Sequence, residues 1–320
     1  MKKTYTYIFL FLALLLFFLQ GCVSTPDTSD SAIGLRRAAY DGDRDETARL
    51  IGSGAALDGK NEDGMTPLML AAYNGQAETT RLLIQAGADL EAKNSNQQTA
   101  LMMSAHSGRE QTAGLLIEGG AKLDSGDNEG WTALIYAAVE GHVGLLARLI
   151  AAGADINRQA KSGDTALILA ALKQHGEIVK ELLSAGTDPD IKNKKGNTVL
   201  MQQAGMGQAD MVELLVEGSA DLEIKDSDGW SALMLAISEG HKELALQLIA
   251  AGADINTQDK DGWTPLMVTV SEERADLAEL LIEAGAAVDI EDKKGRTALI
   301  FAEYINNEEI VKMLKAAGAE

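Results

Sequence analysis

The chain has 320 residues, with 28 Lys and Arg set against 48 Asp and Glu, a formal net charge of −20 and one cysteine. That balance argues against nucleic acid and against an anionic lipid surface as partners. With a single Cys, no intramolecular disulfide can form.

Residues 1–21 form a distinct segment. Lys2 and Lys3 make a basic start, and Ile8 to Leu19 make an apolar run of 12 residues. Such a run is too short for an ordinary spanning helix and suits a secretory signal peptide. It ends in Leu19-Gln20-Gly21-Cys22, which resembles a bacterial lipobox. The resemblance implies cleavage before Cys22 and a lipid on that residue, the first of the mature protein. It places the protein in the bacterial cell envelope, with membrane contact through the lipid alone. Val23, rather than Asp, follows the cysteine, and by resemblance to enterobacterial sorting this favours the outer over the inner membrane. Loss of Lys2 and Lys3 with the signal leaves a net charge of −22. A basic partner is the sharper inference from that charge and solubility the blander one; both stay open here. Residues 22–33 are polar, with Ser, Thr, Asp and one Pro, and read as a flexible tether.

From 34 to 320 one pattern recurs. Gly64, Gly130, Gly163, Gly196, Gly229, Gly262 and Gly295 lie at multiples of 33 residues, and Gln97 fills the one gap. A truncated unit containing Leu35, Ala38, Ala39, Gly42, Leu50 and Gly54 precedes them, which makes nine units. Within each, apolar residues such as Leu233, Ala236 and Ile237 share one helical face. Thr66, Thr99, Thr132, Thr165, Thr198, Ser231, Thr264 and Thr297 stand where an N-cap is needed. Pro67 and Pro265 follow two of them at the first helical position. A second helix carries Leu244, Leu248 and Ile249 and stops at Gly252, before the polar, turn-rich 253–261. One such pair cannot bury both apolar faces; a stack of them can.

The motifs GMTPLMLAAYNG at 64–75, GWTPL at 262–266 and RLLIQAGADLEAKN at 81–94 closely resemble the ankyrin repeat family. The resemblance covers 34–320 and implies an all-α solenoid of about nine helix-turn-helix units with short β-turn fingers. It also implies a non-enzymatic protein-binding role, with the turn tips and the exposed face of the first helices forming a concave surface. One departure is the residue after T-P-L. The family usually has His there, whereas this chain has Met69, Met102, Ile135, Ile168, Met201, Met234, Met267 and Ile300. Apolar packing should therefore replace a hydrogen-bond network. The fifth unit is irregular at Gln174-His175-Gly176. The sixth is the weakest, with Gln202, Gln203 and Gly205 in its first helix, and a stability minimum is expected over 196–210. Glu308, Glu309, Lys312 and Lys315 give the last unit the polar character of a solenoid cap.

No catalytic constellation, cofactor motif or metal-ligand spacing is present, so neither an enzyme nor a small-molecule substrate is expected. His142, His175 and His241 start second helices, where the family uses His structurally. The basic clusters Lys192/Lys194/Lys195 and Lys293/Lys294/Arg296 fall in turns and read as solvated. Aromatic placement is more informative. Trp131, Trp230 and Trp263 lie one residue after the repeat's first glycine position, Tyr136 and Phe301 six after, and Tyr40, Tyr73 and Tyr304 nine after. Six and nine are i and i+3 on the first helix, so these residues are expected on its exposed face. Tyr73, Trp131, Tyr136, Trp230, Trp263, Phe301 and Tyr304 are the candidates for binding a protein. Met65 and His106 join them, and Met206 and Glu239 are further tip positions. A Trp after the turn glycine that merely stiffens the array is the competing reading. Two other roles compete with general partner binding by a monomer: neutralising a toxic effector in the periplasm, and holding an envelope complex together.

Overall fold

The computed structural model describes residues 29–320. Cys22 and the expected signal peptide lie outside the described residues. The chain divides into two compact units, Met1–Asn128 and Glu129–Glu320. Among the described residues all regular structure is helical, as nine pairs of short helices.

In the first unit the pairs are α1 (Asp30–Asp41) with α2 (Arg44–Gly52), α3 (Pro67–Asn74) with α4 (Ala77–Gln85), and α5 (Ala100–His106) with α6 (Glu110–Glu118). The first helices α1, α3 and α5 pack side by side as one layer, and α2, α4 and α6 as another. The second unit repeats this arrangement over six pairs, from α7 (Ala133–Glu140) to α18 (Glu308–Ala316). The interior is built mainly from Leu, Met, Ile and Ala. The small residues let backbones approach, as the pattern of Ala71, Ala72, Ala137, Ala138, Ala170 and Ala171, all fully buried, requires.

The caps are where the sequence places them. The hydroxyls of Thr66, Thr99, Thr132, Thr165, Thr198, Ser231, Thr264 and Thr297 accept the backbone N–H three residues on, at 3.3–3.4 Å. Met69, Met102, Ile135, Ile168, Met201, Met234 and Met267 are at most 2% exposed, so apolar packing does occupy that position. Ile300, in the last repeat, is the exception at 44%.

One expectation changes. Residues 30–33 belong to α1, so the tether cannot extend to 33. Ser29 caps the helix by accepting from the Ala32 N–H at 3.3 Å, and Ala32 and Leu35 are fully buried. The polar Ser29-Asp30 pair is a helix start rather than a linker, because a hydroxyl and an acid both favour the positive end of the helix dipole. Backbone shape is also more uniform than composition. Gln97, Gln174, Ser219, Glu273 and Asn306 all adopt left-handed φ of 55–65°. Each stands where most other repeats have glycine, so the array imposes the conformation on a residue that does not favour it.

Side chains tie successive repeats together at fixed offsets. Lys60 and Lys93 each donate to a carbonyl 33 residues on, at 2.8 and 3.1 Å. In the second unit Gln159, Lys192, Lys225 and Gln258 do the same at 2.7–3.1 Å. Lys192, one of the turn cations, is therefore an inter-repeat clamp.

Candidate binding surface

The aromatic side chains fall into two environments. In the first unit Tyr40 and Tyr73 are 53% and 40% exposed, and His106 is exposed as well. Each ends the first helix of its repeat, at one register. The rings of Tyr73 and His106 lie 6.5 Å apart with planes 19° from parallel. Their backbone is held from the next repeat: Gln76 Nε2 donates to the Tyr40 carbonyl at 3.3 Å and Arg109 Nε to the Tyr73 carbonyl at 3.1 Å. The result is a rigid strip of exposed rings, one per repeat. Tyr40 extends the strip beyond the predicted candidates, and its register match to Tyr73 was the signal that could have included it.

In the second unit several candidates are not at the surface. Tyr136 is 8% exposed and Phe301 9%, which corrects their expected place on an open helix face. Half-buried Trp131 meets the Tyr136 ring edge-on, with centroids 5.3 Å apart. Half-buried Trp263 lies 4.8 Å from Phe301, and the Arg296 guanidinium lies over the same ring at 4.4 Å. The physical reason is distance from the finger. The sixth position lies near the start of the helix, where finger side chains reach it: Trp131 of the same repeat at Tyr136, and Arg296 of the same repeat with Trp263 of the preceding one at Phe301. The ninth position ends the helix, outside that reach. Trp131 and Trp263 therefore contribute packing.

Trp230 is half-buried, and its N–H is held by the Asp226 carboxylate at 2.8 Å. Met65 is also half-buried, its sulfur 3.5 Å from Asn94 Nδ2. Both are parts of finger turns. Tyr304, at 85%, and Met206, at 41%, stand exposed, as does Glu239.

Many acids that produce the net charge are occupied by the backbone. Asp58, Glu91, Asp190 and Glu223 each accept the N–H of a residue 31 positions on, at 2.7–3.0 Å. Asn157 and Asn256 do the same at 3.0 and 2.8 Å, so this role needs an acceptor rather than a charge. Desolvation raises the pKa of Asp190, helped by repulsion from Asp188 and Asp221, while the Asp221 N–H bond opposes it. The histidines are similarly employed. His175 Nε2 lies 2.9 Å from the Val139 carbonyl and His241 Nε2 3.3 Å from that of Gly205. A carbonyl only accepts, so both nitrogens carry hydrogen. Among the described residues no group of three or more His, Cys, Asp or Glu is placed to hold a metal ion.

The last finger contains an ion pair whose carboxylate is buried. Arg296 Nη2 and Nε donate to Asp292 Oδ2 at 2.5 and 2.8 Å, and Oδ1 accepts the Lys294 and Arg296 N–H groups. Burial alone would raise the Asp292 pKa, but these bonds and the guanidinium charge together hold it below the usual carboxylate range. A folded-state pKa below the unfolded value contributes stability above the unfolded pKa of about 4, and that contribution disappears as pH falls through the folded value. Asp292→Asn is accordingly expected to lower stability at pH 7 and to flatten its acid dependence below about pH 4. Denaturant titrations of both proteins between pH 7 and 3 check this; parallel curves would refute it.

A family model described as ankyrin repeats, three copies long, matches the chain in five overlapping stretches: residues 35–127, 81–160, 115–193, 167–259 and 240–320. No curated protein matches the chain.

Proposed function

Since the chain belongs to the ankyrin repeat family, whose repeats are protein–protein interaction modules, we propose that it captures a protein partner at a bacterial membrane, held there by a lipid on Cys22. The observation that carries this reading is the strip Tyr40, Tyr73 and His106. Large rings held rigidly on exposed helix ends contribute binding energy at small entropic cost, because their backbone is already ordered.

A basic partner is favoured by the second unit, residues 129–320, which holds 32 acidic and 17 basic residues. Of these acids, Asp190 and Glu223 already accept backbone N–H groups. The surface carboxylates that remain would steer a cationic protein toward the domain.

The test is crosslinking in intact cells followed by purification, comparing wild type with Tyr40→Ala/Tyr73→Ala. Both rings are exposed, so thermal stability should stay unchanged while capture of a discrete partner falls about tenfold or more, as for hot-spot residues. Undiminished capture would refute the strip as the site. A triple Trp131/Trp230/Trp263→Ala variant is a poor substitute, because it would uncover Tyr136 and Phe301 and mix folding with binding. Recovery of the partner at fixed stoichiometry would favour an assembly role. A toxin-like partner would instead favour neutralisation.

A further inference from the structure

Four independent departures from the repeat pattern converge on the sixth repeat, residues 196–228. The first is Gln203, whose register elsewhere holds fully buried Ala71, Ala137, Ala170, Ala236 and Ala302, together with Ser104 and Thr269, whose buried hydroxyls donate to the Leu101 and Pro265 carbonyls. Gln203 is itself fully buried. Its Oε1 accepts from Gln174 Nε2 at 3.1 Å, but its Nε2 meets no acceptor among the described residues. A buried amide donor without a partner favours any opening that reaches water.

The second is Gly205, the last residue of the helix Val199–Gly205. A methyl group placed there would meet nothing within 4 Å, so no steric requirement offsets the entropy that glycine loses in a helix. The third is Ser219, at φ 65°, in a register where Gly87, Gly120, Gly153, Gly186, Gly252, Gly285 and Gly318 adopt 85–101°. The fourth is the finger. Lys161, Lys194, Lys260 and Lys293 donate their N–H to the preceding finger at 2.8–3.1 Å. Among the described residues no such bond joins Ser227 to Lys195. A methyl on Gly196 would stand 3.5 Å from the Ser227 nitrogen, against 2.6–3.1 Å for the equivalent pairs at Gly64, Gly130, Gly163, Gly229 and Gly262.

In a linear array each repeat is held only by its own interior and its two interfaces. We propose that the sixth repeat is a built-in breakpoint: the unit Glu129–Glu320 opens there first, while 129–195 and 229–320 remain folded as two blocks that can change their mutual angle at this one place. The stretch that opens includes the second helix Ala209–Glu217 and the turn at Ser219.

Native-state hydrogen exchange on the full chain tests this, comparing wild type with Gly205→Ala/Ser219→Gly. Both changes restore what the backbone at those positions favours, so neither endangers folding. In wild type, amides within 199–217 should exchange at least about 100-fold faster than those in 166–184 and 232–250. In the variant, exchange in 199–217 should slow about twenty-fold, with little change in the flanking blocks. Uniform protection across 166–250 in wild type would overturn the breakpoint. So would an equal slowing of all these amides in the variant, since that is the signature of global unfolding alone.

Discussion

Replacing Gly229 by Ala should destabilise the second unit by about 3 kcal/mol. Gly229 has φ +90° and is buried at the base of a finger. An alanine forced into the left-handed region costs about 1–2 kcal/mol. Its Cβ would also stand 2.6 Å from the Lys260 nitrogen and 3.0 Å from the Asp259 carbonyl carbon. Both are backbone atoms, so no rotamer change relieves the collision. The next finger would have to retreat and give up the 3.1 Å bond from Lys260 N–H to the Asp228 carbonyl, worth about 1 kcal/mol. All three tryptophans lie within Glu129–Glu320, so their fluorescence follows this unit alone during urea unfolding. A loss below about 1 kcal/mol would mean that the finger yields freely, against the rigidity that the repeated backbone bonds imply. The same substitution at Gly205 has the opposite expected sign, because that position is helical and open. Glycine is a requirement at one site and a weakness at the other.

Replacing Cys22 by Ser should abolish lipid attachment and block processing at residue 22, so that only the uncleaved apolar run Ile8 to Leu19 still holds the chain at the membrane. A serine hydroxyl cannot supply the thiolate nucleophile that a thioether-linked lipid requires. Each buried methylene of an acyl chain contributes about 0.8 kcal/mol, and stable anchoring needs a second chain or signal. Nothing in the folded part supplies a replacement: among the described residues no helix is long and apolar enough to cross a membrane. The acidic surface would also be repelled by anionic lipid. Lipid attachment and processing in cells expressing wild type and Cys22→Ser, with and without globomycin, check the prediction. Unchanged lipid attachment and processing would remove the lipid anchor on Cys22 from the proposed function and leave the repeat domain's binding role to stand separately.

The fold was legible because its signals are local and repeated. A threonine hydroxyl three residues ahead of the N–H it caps, a proline at the first helical position and a glycine after the last are all short-range devices. Eight recurrences leave little ambiguity about which device is meant. The N-terminal boundary failed for the complementary reason. Ser29-Asp30 reads as linker in isolation, and only the burial of Ala32 and Leu35 behind it shows a helix start.

Surface assignment was less legible. Helical periodicity places the sixth and ninth positions of a repeat on one side, so Tyr136 and Tyr73 read alike. The finger folds over the first of these positions and not the second, and that is a contact between segments rather than a property of either. Charge was obscured in the same way. Nothing adjacent to Asp190 or Lys192 marks the partner that each finds in the following repeat, the Asp221 N–H and the Lys225 carbonyl.

By itself the sequence determined the repeat, the caps, the all-helical class and the family, because each depends on interactions within a few residues. Only the tertiary structure decided which aromatics are exposed and which charges are occupied, whereas the weakness of the sixth repeat was already expected from Gln202, Gln203 and Gly205. Exposure and occupancy depend on what the next repeat, about 31–36 residues away, brings alongside.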